Sequence, residues 1–503
     1  MRTVLAQRPL LAVLVSLVAA GLILLSHRRP RLRESWTFLA AALKFLLVLS
    51  MLPAVQRGEV VASAPLVLYP GLALHLRADA LGTVFALLAS ALWLLTSLYS
   101  VGYLRAGHAR HQTGYFACFA VCLAATMGIA FAANLLTFFV FYELLTLATY
   151  PLVAHERTAE ALAAGRRYLA YTLGGGQLLL VAVVGITLLA PGAEFQPGGF
   201  LAGRAPRGVL ALLLGLALAG VGVKAALMPL HGWLPAAMVA PTPVSALLHA
   251  VAVVKAGVFG CLRLAHYVFG ASLLRELHAD VWLAGAAALT ILLGSLRALG
   301  ESNLKRRLAY STVSQLSYIV LGAALSTPAA LAGAVFHIAA HGLLKITLFF
   351  CAGAVYVRTH QLDIAQLAGL GRQMPITFGA FALGALGLAG TPLLAGFVSK
   401  WNLGLGALQA GHAVFLGVLV ASGLLNFAYF FPIVYSAFFS PAPAPGRWRE
   451  VSPALWLPLA TTALLAVVLG LFPNAGGALY RLSWQVAERA LSTAGPLLAG
   501  GGP

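Results

Sequence analysis

The chain alternates long apolar blocks with short polar gaps. A helix needs about 20 predominantly apolar residues to cross the hydrocarbon core of a bilayer. On that criterion the pattern predicts 14 spans, over residues 9–26, 36–53, 78–100, 115–131, 134–153, 168–190, 207–230, 243–268, 281–299, 308–325, 330–357, 375–400, 411–439 and 454–473. The tightest division lies between the fourth and fifth spans, where only Ala132 and Ala133 intervene. This is the pattern of an all-α polytopic membrane protein. No gap is long enough for a soluble domain, and none carries a nucleotide-binding loop, so an ATP-driven pump working by itself is not expected.

Composition agrees. Of 503 residues, 61% are hydrophobic and 9% are charged, against about 25% charged in soluble proteins. Too little polar surface exists to cover soluble domains, which excludes soluble enzymes, DNA-binding proteins and disordered scaffolds. The formal net charge of +19 would suggest nucleic acid on a soluble protein. Here the basic residues sit mostly between spans and set topology, so no nucleic-acid partner is expected. They concentrate in alternate gaps, among them Arg28 to Arg33, Arg166 and Arg167, Lys305 to Arg307, and Arg447 and Arg449. By the positive-inside rule those gaps face the cytoplasm, with both termini outside a bacterial inner membrane. The first apolar run follows Arg2 and Arg8 as a signal peptide would. It lacks a small-residue cleavage site and leads into His27-Arg28-Arg29-Pro30-Arg31, so it reads as a retained span. Cys118, Cys122, Cys261 and Cys351 all lie in apolar stretches, which predicts neither a disulfide framework nor a metal site.

Charge inside the spans carries the chemistry. Of 13 acidic residues, only Glu143 sits deep in an apolar run. There are six lysines against 26 arginines, and five lysines fall inside spans: Lys44, Lys224, Lys255, Lys345 and Lys400. A lysine can give up its proton when desolvated, whereas an arginine effectively cannot. On insertion scales each central lysine costs about 2.5–3.5 kcal/mol, so five facing lipid would cost on the order of 15 kcal/mol. They are expected to face protein, water or a counter-charge. Snorkelling to the interface is a fair reading for Lys44, for Lys400 on spacing alone, and for Arg263 near its span end.

Histidines extend the set. His337, His341 and Lys345 recur at four-residue spacing, which places them on one helical face. No His-Glu-x-x-His arrangement or third ligand accompanies them, so a proton relay is favoured over a metal site. His249, six residues before Lys255, is a further candidate member. Two spans also carry a lysine close to a helix breaker: Lys224 with Pro229 and Pro235, and Lys400 with Pro392. Proline inside a span frees carbonyls that must line a polar cavity. Interrupted helices in matching places point to an inverted-repeat transporter.

These residues carry a family resemblance. The stretch Lys224-Ala-Ala-Leu-Met-Pro229-Leu-His231-Gly-Trp-Leu-Pro235, continuing through Pro241-Thr-Pro243 to His249, resembles the antiporter-like membrane subunits of respiratory complex I and the Mrp cation/proton antiporters. Phe141 to Pro151, Asn303 to Gln315, and His337 to Lys345 support it. Residues 142–153 and the context of Lys255 look most like the D-type subunit of the Mrp monovalent cation/proton antiporters. The resemblance implies 14 helices and two inverted five-helix repeats with broken helices 7 and 12. That divides the chain into helices 1–3 (1–114), a first repeat (115–268), a second repeat (281–439), and helix 14 with the tail (454–503).

The resemblance also implies a midplane chain of polar residues. Glu143 and Lys224 match the first-half pair and Lys255 the connecting lysine, with His249 nearby. His337, His341 and Lys345 match the second-half relay, and Lys400 the terminal residue. The mechanism expected is an ion pair between Glu143 and Lys224 whose weakening sends a proton to Lys255. The proton then passes through His337, His341 and Lys345 to Lys400. No cofactor is expected. The expected partners are other membrane subunits, protons, Na+ and lipid. Four readings stay open: one component of a multisubunit Na+/H+ antiporter, a proton-pumping component of a complex I-like enzyme or membrane-bound hydrogenase, a proton-coupled partner in inorganic-carbon uptake, and a structural scaffold.

Overall fold

The computed structural model describes residues 2–441 and 450–492. Arg447 and Arg449, used above for topology, lie outside the described residues. Thirteen helices among the described residues are long and apolar enough to cross a membrane, and the chain is a multi-pass, mostly helical membrane protein. The first seven helices are α1 (Arg8–Leu25), α2 (Pro30–Gln56), α3 (Ala80–Ala106), α4 (Gln112–Ala130), α5 (Leu135–Val153), α6 (Ala159–Leu189) and α7 (Arg207–Lys224). After the short α8 (Trp233–Ala236), the eighth span is built from α9 (Thr242–Ala246), a π-helical turn Leu247–Val251, α10 (Val253–Arg263) and a second π turn Leu264–Phe269. Then follow α11 (Ala271–Glu276), α12 (Ala279–Leu299), α13 (Leu304–Leu325), α14 (Pro328–Thr359), α15 (Pro375–Ala389), α16 (Ala395–Gln409), α17 (Ala413–Phe439), α18 (Pro453–Leu471) and α19 (Ala475–Leu491).

Local chemistry fixes the starts. Side-chain oxygens of Asp79, Asn134, Thr158, Asn303 and Thr327 accept backbone N–H bonds at the first turns of α3, α5, α6, α13 and α14, which satisfies donors that a helix leaves open. Proline occupies the first turn of α1, α2, α14, α15 and α18, where its missing N–H costs nothing.

Burial sorts the helices into a core and a shell. Every residue in the apolar windows of α14 and of Thr242–Phe269 is buried, while α17 shows most of its surface outward. α14 packs against α3, α13, α15, α16, α18 and α19. The titratable stripe His337, His341 and Lys345 thus sits on a helix enclosed by other helices.

Three features depart from the sequence reading. The span expected over 375–400 with a break at Pro392 consists of α15 and α16, separated by residues 390–394, and runs on to Gln409 rather than ending at Lys400. The gap expected over 54–77 carries short strands. β1 (Thr3–Leu5) pairs in parallel with β2 (Val60–Ala62), which pairs antiparallel with β5 (Arg77–Ala78). β3 (Leu66–Tyr69) and β4 (Leu72–Leu74) form a hairpin with Leu66 opposite Leu74. The expected tail holds α19, whose buried Leu482, Val486, Ala487 and Ala490 belong to a helix that packs on α14 and α3. Gln485 and Arg489 on α19 donate to the carbonyls of Val55 and Gly58 at 3.3 and 3.1 Å.

Two snorkelling expectations are corrected. Arg263 is buried and makes a bidentate pair with Asp79 at 2.6 and 2.7 Å, close to the rings of Phe259 and Tyr267. Asp79 also caps α3, so a counter-charge from another helix removes the reason to reach water. Lys44 is fully buried as well. Its Nζ donates to the Leu123 carbonyl at 3.0 Å and lies 4.6 Å from the Trp93 ring centroid.

Candidate functional site

The first part of the site forms where α5, α6 and α7 meet. Glu143 lies on α5 and Lys224 is the last residue of α7. Gly176 on α6 faces the Glu143 carboxylate, and a Cβ there would overlap it. The absence of a side chain at 176 is what gives the carboxylate room. One carboxylate oxygen, Oε1, is buried without a hydrogen-bond partner among the described residues.

Lys224 and Glu143 do not make the direct ion pair that the sequence suggested. None of the ion pairs among the described residues joins them. The ammonium instead donates to the Tyr142 carbonyl at 2.5 Å and lies 3.3 Å from the centroid of the Tyr142 ring. The cause is geometric, because α7 stops at Lys224 and the carbonyl and ring of the neighbouring residue lie nearer than the carboxylate.

Beyond Lys224 the backbone runs without regular helix until Trp233, with Pro229 inside the gap. Ala226 adopts φ +55° and is buried. At the second interruption, beside Pro392, Leu393 adopts φ +72°. A non-glycine residue in this region costs of order 1–3 kcal/mol and marks places where surrounding structure imposes the conformation. Both interruptions carry such a residue, and each has a candidate relay lysine near it.

The middle of the site is a line of direct contacts. Lys255 on α10 follows the π turn that carries His249. Its Nζ lies 2.7 Å from Nδ1 of His341. The His341 and His337 rings are 5.7 Å apart on α14. Nδ1 of His337 lies 2.7 Å from Oγ of Ser399 on α16, the residue before Lys400. The Tyr318 ring stacks 5.6 Å from His337, and its centroid lies 5.0 Å from Nζ of Lys400. Lys400 donates to the carbonyls of Leu388 and Ala389 at 2.5 and 3.3 Å. These are acceptors that the C-terminal end of α15 leaves open. Gly390, at φ +97°, ends α15 and leaves space for the Lys400 stem.

The order differs from the expected one. Lys345 does not stand between the histidines and Lys400. It lies one turn from His341 on the side away from His337, and donates to the Leu308 carbonyl and the Ser311 hydroxyl of α13 at 3.0 and 2.8 Å. His249 is buried against Phe349, and neither ring nitrogen has a partner among the described residues.

Some polar residues escape a reading of the sequence. Lys305 falls in a loop by pattern, yet it is buried and donates to the Ala240 carbonyl at 2.6 Å. A signal existed, since it is the one loop lysine among arginines. Lys305 lines a cavity of about 1030 Å³ together with Glu156, Arg167, His231 and Tyr310. A buried hydroxyl and amide cluster, by contrast, has no signal in the sequence. Ser295, Ser314 and Ser422 lie 2.9–3.3 Å apart, next to Asn426 and Gln315. Single serines in apolar helices carry no distinctive spacing, so nothing marks them. Among the described residues no three His, Cys, Asp or Glu side chains gather as a metal would need. The arrangement can hold and exchange protons among buried amines and imidazoles.

Comparison with known proteins places these features in context. The family described as NADH:quinone oxidoreductase/Mrp antiporter, TM, matches residues 132–425. That match takes in every candidate relay residue from Glu143 to Lys400. The NADH-quinone oxidoreductase N subunit of Desulforudis audaxviator (strain MP104C) is 34% identical over 500 residues, which cover 93% of this chain and 96% of that one. The probable K(+)/H(+) antiporter A/B subunit of Rhizobium meliloti (strain 1021) is 33% identical over 414 residues. That is 80% of this chain but only 40% of the longer protein. A chain in the structure of the Mrp complex from Dietzia sp. DQ12-45-1b superposes with a TM-score of 0.86 at 25% identity, covering 97% of each chain.

Proposed function

We propose a function for a chain that belongs to the NADH:quinone oxidoreductase/Mrp antiporter transmembrane family: it moves protons through the buried Glu143–Lys400 line as one component of a monovalent cation/proton antiporter. The observation that carries this reading is the run Lys255, His341, His337, Ser399 and Lys400, in contact or within one ring of contact across three separate helices. Lys255, His341, His337 and Ser399 are fully buried and Lys400 is half-buried, where groups that only packed helices together would be costly. A proton leaves the Lys224 ammonium when its pairing with Glu143 weakens, because a nearby carboxylate favours the charged amine. It passes to Lys255, then His341, then His337, and leaves through Lys400. Titrations along such a line are coupled.

The proposal extends to organisation. The two interrupted helices belong to inverted repeats over 115–268 and 281–439, with 1–114 and 454–503 outside them. The protein sits in a bacterial inner membrane with both termini outside, works with other membrane subunits, and exchanges Na+ or another monovalent cation for protons. Within the antiporters we place it nearest the D-type component, on residues 142–153 and the Lys255 context.

The test is cation-driven proton flux in everted membrane vesicles containing the full complex. Glu143→Ala should abolish flux while the chain still inserts and assembles. Wild-type flux in that variant would overturn the mechanism. A second reading, a proton-pumping component of a redox complex, is favoured by the near full-length likeness to an oxidoreductase N subunit. Affinity purification from native membranes separates the two, since iron–sulfur or flavin proteins would co-purify only with the second.

A further inference from the structure

Lys224 has Glu143 and Tyr142 in its neighbourhood and contacts Tyr142. Its ammonium rests on the Tyr142 face and donates to the Tyr142 carbonyl. The neighbouring carboxylate has a buried oxygen without a partner, in a space kept open by Gly176. The Tyr142 ring is itself held rigidly. Its hydroxyl donates to the Gly220 carbonyl on α7 at 3.3 Å, and Phe138 packs on it with ring centroids 5.4 Å apart. A π face presented to a desolvated ammonium is attractive, and here it is fully buried.

We infer that Tyr142 is a positioning residue that provides a second seat for the charged Lys224 side chain, so that the ammonium can part from Glu143 without losing its proton at once. This rests on the proton-transfer reading above and deepens it. A lysine with only a carboxylate partner would face a choice between a closed pair and a bare buried charge. With the Tyr142 seat, the open state of the pair keeps the proton on Nζ until Lys255 can accept it. The two seats belong to adjacent residues of α5, and the second serves only if the Lys224 side chain moves between them. The titratable groups that act on this ammonium are Glu143 of α5 and Cys122 of α4. Glu143, Cys261 of α10 and Tyr168 of α6 are the titratable groups around Tyr142.

The experiment is the pH profile of cation-driven proton flux in vesicles with the complete assembly, comparing Tyr142→Met, Tyr142→Leu and Tyr142→Phe at matched membrane levels. Methionine keeps much of the volume filled and removes the ring face. The expected result for Met and Leu is that the alkaline limb of the profile moves to lower pH by about one unit, a tenfold change in the proton equilibrium. Phenylalanine should restore most of the wild-type profile, because it keeps the face and loses only the bond to Gly220. A wild-type profile in Tyr142→Met overturns the inference, and so does a Phe variant as impaired as Met. If Leu fails to assemble, the Met and Phe pair decides. These outcomes are separate from the parent reading, which falls only if Glu143→Ala still transports.

Discussion

Lys255 and His341 touch at 2.7 Å across two helices, and this contact joins the two halves of the polar line. If the proton passes directly between them, each residue is useless without the other. Lys255→Ala and His341→Ala should each reduce flux at least tenfold, and the double variant should be no worse than the less active single one. Additive losses in the double-variant cycle would mean that the two residues act independently.

Lys345 lies off this line, bonded to α13 through Leu308 and Ser311. Lys345→Met is therefore expected to slow flux less than Lys255→Met does. Initial rates at matched expression decide the matter, and equal losses would return Lys345 to the line.

Gly176→Ala places a methyl group against the Glu143 carboxylate. The carboxylate must move or α6 must shift, and transport should fall severalfold with normal membrane insertion. Gly174, whose Cβ would meet no atom within 4 Å, is the matched control and should tolerate alanine.

The buried Arg263–Asp79 pair ties the end of α10 to the start of α3. Removing one partner of such a pair costs about 3–5 kcal/mol, because the other is left charged and unpaired. Asp79→Ala should lower the thermal midpoint of the purified protein or its level in the membrane. Replacing both residues with apolar ones of similar size should recover much of the loss.

Glu194, in the connection between α6 and α7, receives a hydrogen bond from His75 and lies 2.9 Å from Arg77. The His75 bond, and after it the charges of Arg77 and His75, hold its carboxyl below the usual carboxylate range against the opposing effect of burial. A carboxyl with a depressed folded value adds stability above its unfolded value, near pH ~4.3, and loses it as pH falls through the folded value. Thermal unfolding in detergent should show this acid-side loss in the wild type. Glu194→Gln should flatten that part of the profile.

Legibility in the sequence follows the density of the signal. A lysine inside an apolar run is rare enough to be read singly, so Lys224, Lys255 and Lys400 stand out before their surroundings are known, and proline beside two of them marks the interruptions. Direction is what the sequence does not carry. The spacing of His337, His341 and Lys345 says that they share a face, and says nothing about which neighbouring helix each one meets. Arg263 looks interfacial because Asp79, its partner, is 184 positions away. Lys305 is hidden by two basic neighbours in sequence, although it turns inward. α19 escapes because its apolar face is narrow, and the hairpin at 66–74 because alternation over so few residues is lost among apolar spans.

The interruptions at 225–232 and 390–394 have a mechanical side. A continuous helix that swings one half against the other must tear backbone hydrogen bonds to do so. In this chain the regular helical ladder already gives way to scattered turn bonds between α7 and α8 and between α15 and α16, and the carbonyls of Leu388 and Ala389 at the second break accept from Lys400. Each half-helix is therefore a lever on a ready-made hinge. At the second break the clasp is a side chain whose strength depends on its charge: as an ammonium Lys400 is a charge-assisted donor to both carbonyls, and as a neutral amine it is a weaker one. If Lys400 gains and loses a proton as proposed, the strength of that clasp changes with it, and the second break is tied to a chemical event at one nitrogen.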